Sequence, residues 1–163
     1  QAEDLIAGGV KELIHVGYAG GLQPELVPGE IILTDGAFND TAVARLYGYD
    51  YELIRSSKDL TNEMESMITS AEIPYKRGIH WTTDAGYRET WGQVMDYRDK
   101  GALCVEMEGV GLFTIANYRK CVATGIYVVS DVYSENDWKL GWEGNDIKRA
   151  VGAVIDMIIE SIR

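Results

Sequence analysis

The feature that most limits what this chain can fold into is the run from Val122 to Val129, eight uncharged residues rich in β-branched side chains. Such a run reads as a strand covered on both faces, and the rest of the sequence has to supply the cover. Leu13-Ile14-His15-Val16, Ile31-Ile32-Leu33 and Ile79-His80-Trp81-Thr82-Thr83 read as further strands. Leu103-Cys104-Val105 leads into a helix that starts at Glu106 or Glu108 and runs to about Tyr118. Leu60, Met64, Met67, Ile68 and Ala71 recur at helical spacing. Ile147, Val151, Val154, Ile155, Ile158 and Ile162 form an apolar stripe on a last helix, with Asn145 or Asp146 placed to cap it. A short helix-like stretch, Ala2 to Ala7, opens the chain. Helices interleaved with buried strands predict a layered α/β domain. With 163 residues and no repeat or linker, residues 1–163 read as one domain.

Charge and composition narrow the function. Fifteen basic against twenty-six acidic side chains leave a net charge of -11. DNA is held mainly by phosphate neutralisation, so no nucleic-acid partner is expected. No apolar run approaches the roughly 20 residues of a membrane span, and nothing reads as a signal peptide. The only cysteines, Cys104 and Cys121, lie in apolar runs without metal-ligand spacing, and there are only two histidines. Neither a disulfide framework nor a zinc site is expected. The expectation is a soluble, cytoplasmic domain without a metal.

In open α/β sheets, ligands bind beyond the carboxyl ends of the strands. Those ends carry Gly17 to Gly21, Thr83-Asp84, Glu106-Met107-Glu108 and Ser130-Asp131, and three of the four hold carboxylates. Gly17-Tyr18-Ala19-Gly20-Gly21 reads as a glycine-rich turn that lets a ligand approach the backbone, or as an ordinary tight turn. Its spacing is neither Gly-x-Gly-x-x-Gly nor a phosphate loop with its lysine. Glu106 and Glu108 beside a buried strand need partners, and the paired hydroxyls of a sugar suit them. Met107 between them offers a soft apolar face for the ring. The plainer alternative is a solvated helix start, where acids are favoured. Asp131 is either a turn cap or an acid acting on a ring nitrogen of a bound base. Tyr87 can lie against such a base and Arg88 can hold an anion or carbonyl, unless Arg88 simply pairs with Glu89 on the surface.

Three segments together carry a resemblance: Gly9 to Pro24 (Gly-Val-Lys-Glu-Leu-Ile-His-Val-Gly-Tyr-Ala-Gly-Gly-Leu-Gln-Pro), Val-Glu-Met-Glu (Val105 to Glu108) and Val-Val-Ser-Asp (Val128 to Asp131). In order and spacing they resemble the nucleoside phosphorylase superfamily of uridine phosphorylases, hexameric purine nucleoside phosphorylases and methylthioadenosine/S-adenosylhomocysteine nucleosidases. Thr82 to Thr90 and Leu112 to Asp131 look most like the uridine phosphorylase branch. The resemblance implies a three-layer α/β/α fold with a central twisted mixed sheet, and a homodimer or hexamer whose site is completed across a subunit contact. It implies ribose contacts at Glu106, Met107 and Glu108, an acid at the base in Asp131, and base contacts at Ala19, Gly20, Tyr87 and Arg88. His15, Gly17 and Tyr18 fall where the family holds phosphate, which would be the co-substrate; no cofactor is implied. The reaction expected is cleavage of a purine nucleoside or uridine by phosphate to free base and ribose 1-phosphate.

The departures are specific. The family's first sheet strands, with further phosphate ligands or the glutamate that activates water in nucleosidases, have no counterpart in this sequence. The phosphorylase pattern places arginine at position 15 and threonine or serine at position 18, where this chain has His15 and Tyr18. Gly86 stands where phosphorylases often carry a stacking aromatic. A nucleosidase using water, or a nucleoside-binding protein without catalysis, are therefore the alternatives.

Overall fold

A computed structural model describes residues 1–134, 137–141 and 144–162. In chain order the elements are α1 (Ala2–Ala7), β1 (Glu12–Gly21), β2 (Ile31–Asp40), α2 (Val43–Leu46), β3 (Leu53–Arg55), α3 (Lys58–Ser70), β4 (Lys76–Thr83), a single 3-10 turn (Gly86–Arg88), α4 (Trp91–Asp99), β5 (Cys104–Glu106), α5 (Gly109–Arg119), β6 (Val122–Ser134), β7 (Asp137–Leu140) and α6 (Asn145–Ile162). The strands form one mixed sheet in the order β3-β2-β4-β5-β1-β6-β7.

That sheet is not open, as the sequence reading assumed. β2 also pairs with β6, Ile31 opposite Val128 and Leu33 opposite Ile126, so β2, β4, β5, β1 and β6 close a circuit. Closure gives these strands an inside. Ala19, Ile32, Cys104, Tyr127 and Val129 fill it, contributed by four of the five strands. Outside, alternate residues of β2 and β6 meet α3 and α6, while α5 packs at one end of the inner face, since Leu13 and Ala123 share the strand faces of Ala19 and Val129. Ile31, Leu33, Ile126 and Val128 pack on Leu60, Met64 and Ile68 of α3 and on Ile147, Val154 and Met157 of α6. Leu13, Ala37 and Ala123 pack on Val110, Phe113 and Ala116 of α5, which α1 and α2 cover. The three-layer α/β/α expectation holds, with the middle layer curled.

Two strands are longer than their apolar runs. The glycine-rich segment Gly17–Gly21 is not a turn: β1 pairs with β6 from Glu12 opposite Val122 to Gly21 opposite Val132, with one register shift after Ala19. Ladder hydrogen bonds outweigh the weak strand preference of glycine there. Asp131 likewise lies within β6 rather than beyond it, because the strand is prolonged by pairing with β7. A bulge separates the pair Ala19–Val129 from the pair Gly20–Asp131, leaving Ser130 as the extra residue. On α6, Ile147 and Val154 are buried as the stripe predicts, but Ile155 is 42% exposed; the side chain of Ile162 lies outside the described part.

Candidate active site

β5 ends at Glu106, which is only 5% exposed, and its carboxylate is fully engaged. Oε1 accepts from Thr82 Oγ1 at 2.5 Å and faces His80 Nε2 at 3.0 Å; Oε2 accepts the backbone N–H groups of Glu108 (2.9 Å) and Gly109 (2.8 Å). Burial pushes the Glu106 pKa up. The hydrogen bond and charge of His80, with Thr82 and the Glu108 amide, outweigh that and bring it down to about 2. Glu106 is thus a fixed anion that holds a backbone turn. On that turn Met107 is 50% exposed and Glu108 is exposed, with Glu108 Oε2 accepting the Met107 N–H at 3.4 Å. Of the three expected ribose contacts, Met107 and Glu108 face outward. Glu106 lies behind them, its acceptor positions already taken.

α5 starts directly after this turn with Gly109, and only glycine fits. A β-carbon there would stand 2.5 Å from His80 Nε2, 2.8 Å from Tyr127 Oη and 3.0 Å from Glu106 Oε1.

Asp131 is 5% exposed, with Oδ1 2.5 Å from Ser130 Oγ. Its Oδ2 lies 3.3 Å from where a Gly20 β-carbon would be, and the Tyr133 ring closes to 2.6 Å of the same point. Tyr133 hydrogen-bonds Glu89, the residue after the 3-10 turn. Burial raises the Glu89 pKa and Asp131 adds to it, against the Tyr133 bond. Burial raises that of the Tyr133 hydroxyl too, with Glu89 and Asp131 adding. Glu89 Oε1 and Met107 Sδ lie 3.6 and 3.8 Å from the open side of Gly86. Gly20, Glu89, Met107, Asp131 and Tyr133, from four separate segments, therefore form one continuous wall.

Other expected contacts are placed differently. Ala19 is buried in the inner core and its carbonyl lies 3.3 Å from Ser130 Oγ, so it presents no side chain to a ligand. Tyr87 is fully exposed and Arg88 is exposed, while Glu89 turns inward to Tyr133 instead of pairing with Arg88. The capping box of α4, in which Thr90 and Gln93 exchange hydrogen bonds, fixes the chain just after Glu89. Asp84 accepts the Ala42 N–H at 2.7 Å and so pins the start of α2. At the other end, half-buried His15 has Nδ1 3.3 Å from Tyr127 Oη, and its Nε2 lies over Gly17, 3.3 Å from that residue's missing β-carbon. Tyr18 is 47% exposed. Among the described residues no cluster of three or more metal-ligating side chains occurs.

The sequence reading missed Glu89, Tyr133, His80 and Thr82. Polar His80 and Thr82 two apart in an apolar strand share one face, and that signal marks a buried polar network.

Two cavities lie apart from this wall. One of about 360 Å³ is lined by Asp40, Arg45, Asp50 and Asp84, the other of about 550 Å³ by Pro28, Ile73, Tyr75 and Arg149. Neither includes Glu108 or Asp131. Among the described residues no helix is long and apolar enough to cross a membrane.

Comparison with known proteins identifies the family and the fold. The phosphorylase superfamily model matches residues 2–160. A DeoD-type purine nucleoside phosphorylase of Exiguobacterium sibiricum is 34% identical over 125 residues, covering 76% of this chain and 53% of that protein. One from Caldanaerobacter subterraneus subsp. tengcongensis is also 34% identical over 125 residues, with the same coverages. The chain spans about half the length of these curated relatives. A solved structure of the P knowlesi homologue of P falciparum PNP superposes with a TM-score of 0.83 at 23% identity, over 98% of this chain and 64% of that one. The family match spans nearly the whole sequence, and the chain belongs to the phosphorylase superfamily.

Proposed function

We propose that this chain forms the nucleoside-binding part of a purine nucleoside phosphorylase, which cleaves the N-glycosidic bond with inorganic phosphate. A phosphate oxygen bonds to ribose C1′ as the bond from C1′ to the base breaks. The electron pair leaves with the base, which takes up a proton. Positive charge grows on the sugar and negative charge on the base, and a site that stabilises both accelerates the step. In this reading Glu108 accepts from the ribose hydroxyls, Met107 packs on the sugar and Asp131 acts at a ring nitrogen of the base. His15, Gly17 and Tyr18 line the phosphate end. Phosphate is the co-substrate and no metal takes part. A homo-oligomer that completes the site, working in the cytoplasm, is part of the same proposal; the free, buried Cys104 and Cys121 accord with a reducing compartment.

The observation that supports it most is the wall linking Met107 at the sugar end to Asp131 at the base end through Glu89 and Tyr133. The purine phosphorylases among the relatives favour purine over uridine. The test is base release from adenosine, inosine and uridine with and without phosphate. Phosphate-dependent release from the purine nucleosides is expected. Equal release without phosphate points to a nucleosidase, the reading that His15 and Tyr18 in place of arginine and threonine or serine favour. Nucleoside binding without turnover points to a non-catalytic protein.

A further inference from the structure

Glu106 has both oxygens doubly engaged, and a carboxylate offers about four acceptor sites in all. The unusual partner is His80, wholly buried on β4. Its Nδ1 lies 2.6 Å from Thr34 Oγ1 and its Nε2 3.0 Å from Glu106 Oε1. Its ring packs edge-on to Phe113, with centroids 6.1 Å apart at 74°, and tilted against Tyr127, at 4.8 Å and 58°. Both nitrogens and both flanks of the imidazole are therefore fixed by four different elements.

The last torsion of a glutamate is broad, so packing alone does not orient its carboxylate. Orientation comes from the partners on Oε1, and it decides whether Oε2 meets the N–H groups of Glu108 and Gly109. We propose that His80 is a positioning residue for the sugar-binding turn: held between Thr34 and Glu106, it aims the carboxylate that holds Met107 and Glu108 outward. The sugar-binding part of this statement rests on the nucleoside reading above. A purely structural histidine lowers stability when replaced but leaves the folded protein's affinity alone. A positioning histidine changes affinity in variants that remain folded.

The experiment compares the full chain with His80→Leu, His80→Gln and Thr34→Val. Adenosine binding is measured by calorimetry, and amide exchange at Glu108 and Gly109 by NMR, relative to Val128 in β6. His80→Leu is expected to bind adenosine about tenfold or more weakly and to release both amides. His80→Gln, which keeps a donor towards Glu106, is expected to recover most of the affinity. Thr34→Val, which removes the partner of Nδ1, is expected to fall between, and it carries the comparison if the leucine variant does not fold. Unchanged affinity and unchanged amide protection across the folded variants overturn the positioning role. A parent chain that does not bind adenosine, with amides released on replacing His80, removes the nucleoside reading and leaves the turn-holding role standing.

Discussion

Gly20 and Asp131 stand opposite each other one step past the bulge between β1 and β6, and the absent side chain of Gly20 is what lets Tyr133 lie across the strand. A β-carbon there would come within 2.6 Å of the Tyr133 ring and 3.3 Å of Asp131 Oδ2. Gly20→Ala therefore has to displace Tyr133, and overpacking of this kind costs about 1–3 kcal/mol. Gly152 on α6 has open space around its missing side chain, so Gly152→Ala is expected to gain roughly 0.5–1 kcal/mol from helix propensity. Urea midpoints of the two variants, moving in opposite directions from the parent, check both statements.

The low pKa of Glu106 makes acid stability a readout of the same turn. Folding lowers this pKa from 4.5 to about 2, so its stabilising contribution is present above the unfolded value and is lost as pH falls through the folded one. A shift of this size corresponds to roughly 3 kcal/mol. Glu106→Gln removes the titration. Its stability is expected to be lower than the parent's at pH 7, and the gap is expected to close between about pH 5 and 2. Denaturant unfolding across that range measures it; a gap independent of pH would show that the carboxylate charge contributes nothing.

Much of this was legible because local pattern and tertiary structure agree. The Val122 to Val129 run is buried from Ala123 onward, the α3 positions Leu60, Met64 and Ile68 face the core, and the Val-Glu-Met-Glu segment leads from a strand towards a helix. The failures share one cause, pairing between segments distant in sequence. Nothing near Ile31 announces that it pairs with Val128 and closes the sheet. Gly17 to Gly21 is strand only because β6 runs beside it. Asp131 reads from sequence as a candidate acid past a strand end, whereas pairing with β7, which local sequence does not announce, carries the strand through it. Glu89 beside Arg88 looked like half of a surface pair, whereas Tyr133, 44 positions later, takes it inward.

Glu89 titrates in the opposite sense from Glu106. Burial and the nearby Asp131 raise its pKa, so its contribution is fully present below the unfolded value and is lost as pH rises through the folded one. Glu89→Gln keeps an oxygen for the Tyr133 hydroxyl and removes the charge. The variant is expected to be the more stable one at pH 7, by no more than about 1 kcal/mol because the site is partly solvated, with the advantage disappearing at pH 4. Paired urea titrations at the two pH values read this directly, and a variant less stable than the parent at pH 7 would contradict it.

The two glutamates of the turn are expected to differ in what their loss costs the fold. Glu108 is exposed, and its Oε2 accepts the Met107 N–H at 3.4 Å. Surface truncations of this kind change stability by no more than about 0.5 kcal/mol. If Glu108 accepts from the ribose hydroxyls, Glu108→Ala loses hydrogen bonds to a charged group, each about 1.5–3 kcal/mol, which is about tenfold or more in affinity. Glu106→Ala instead leaves His80, Thr82 and two backbone amides facing an empty space, and breaking such a buried network costs about 3–5 kcal/mol of folding stability. Thermal melts and adenosine calorimetry on both variants give the comparison. Glu108→Ala that melts like the parent but binds adenosine about tenfold or more weakly is the expected result; binding at parental affinity would take the ribose contact away from Glu108.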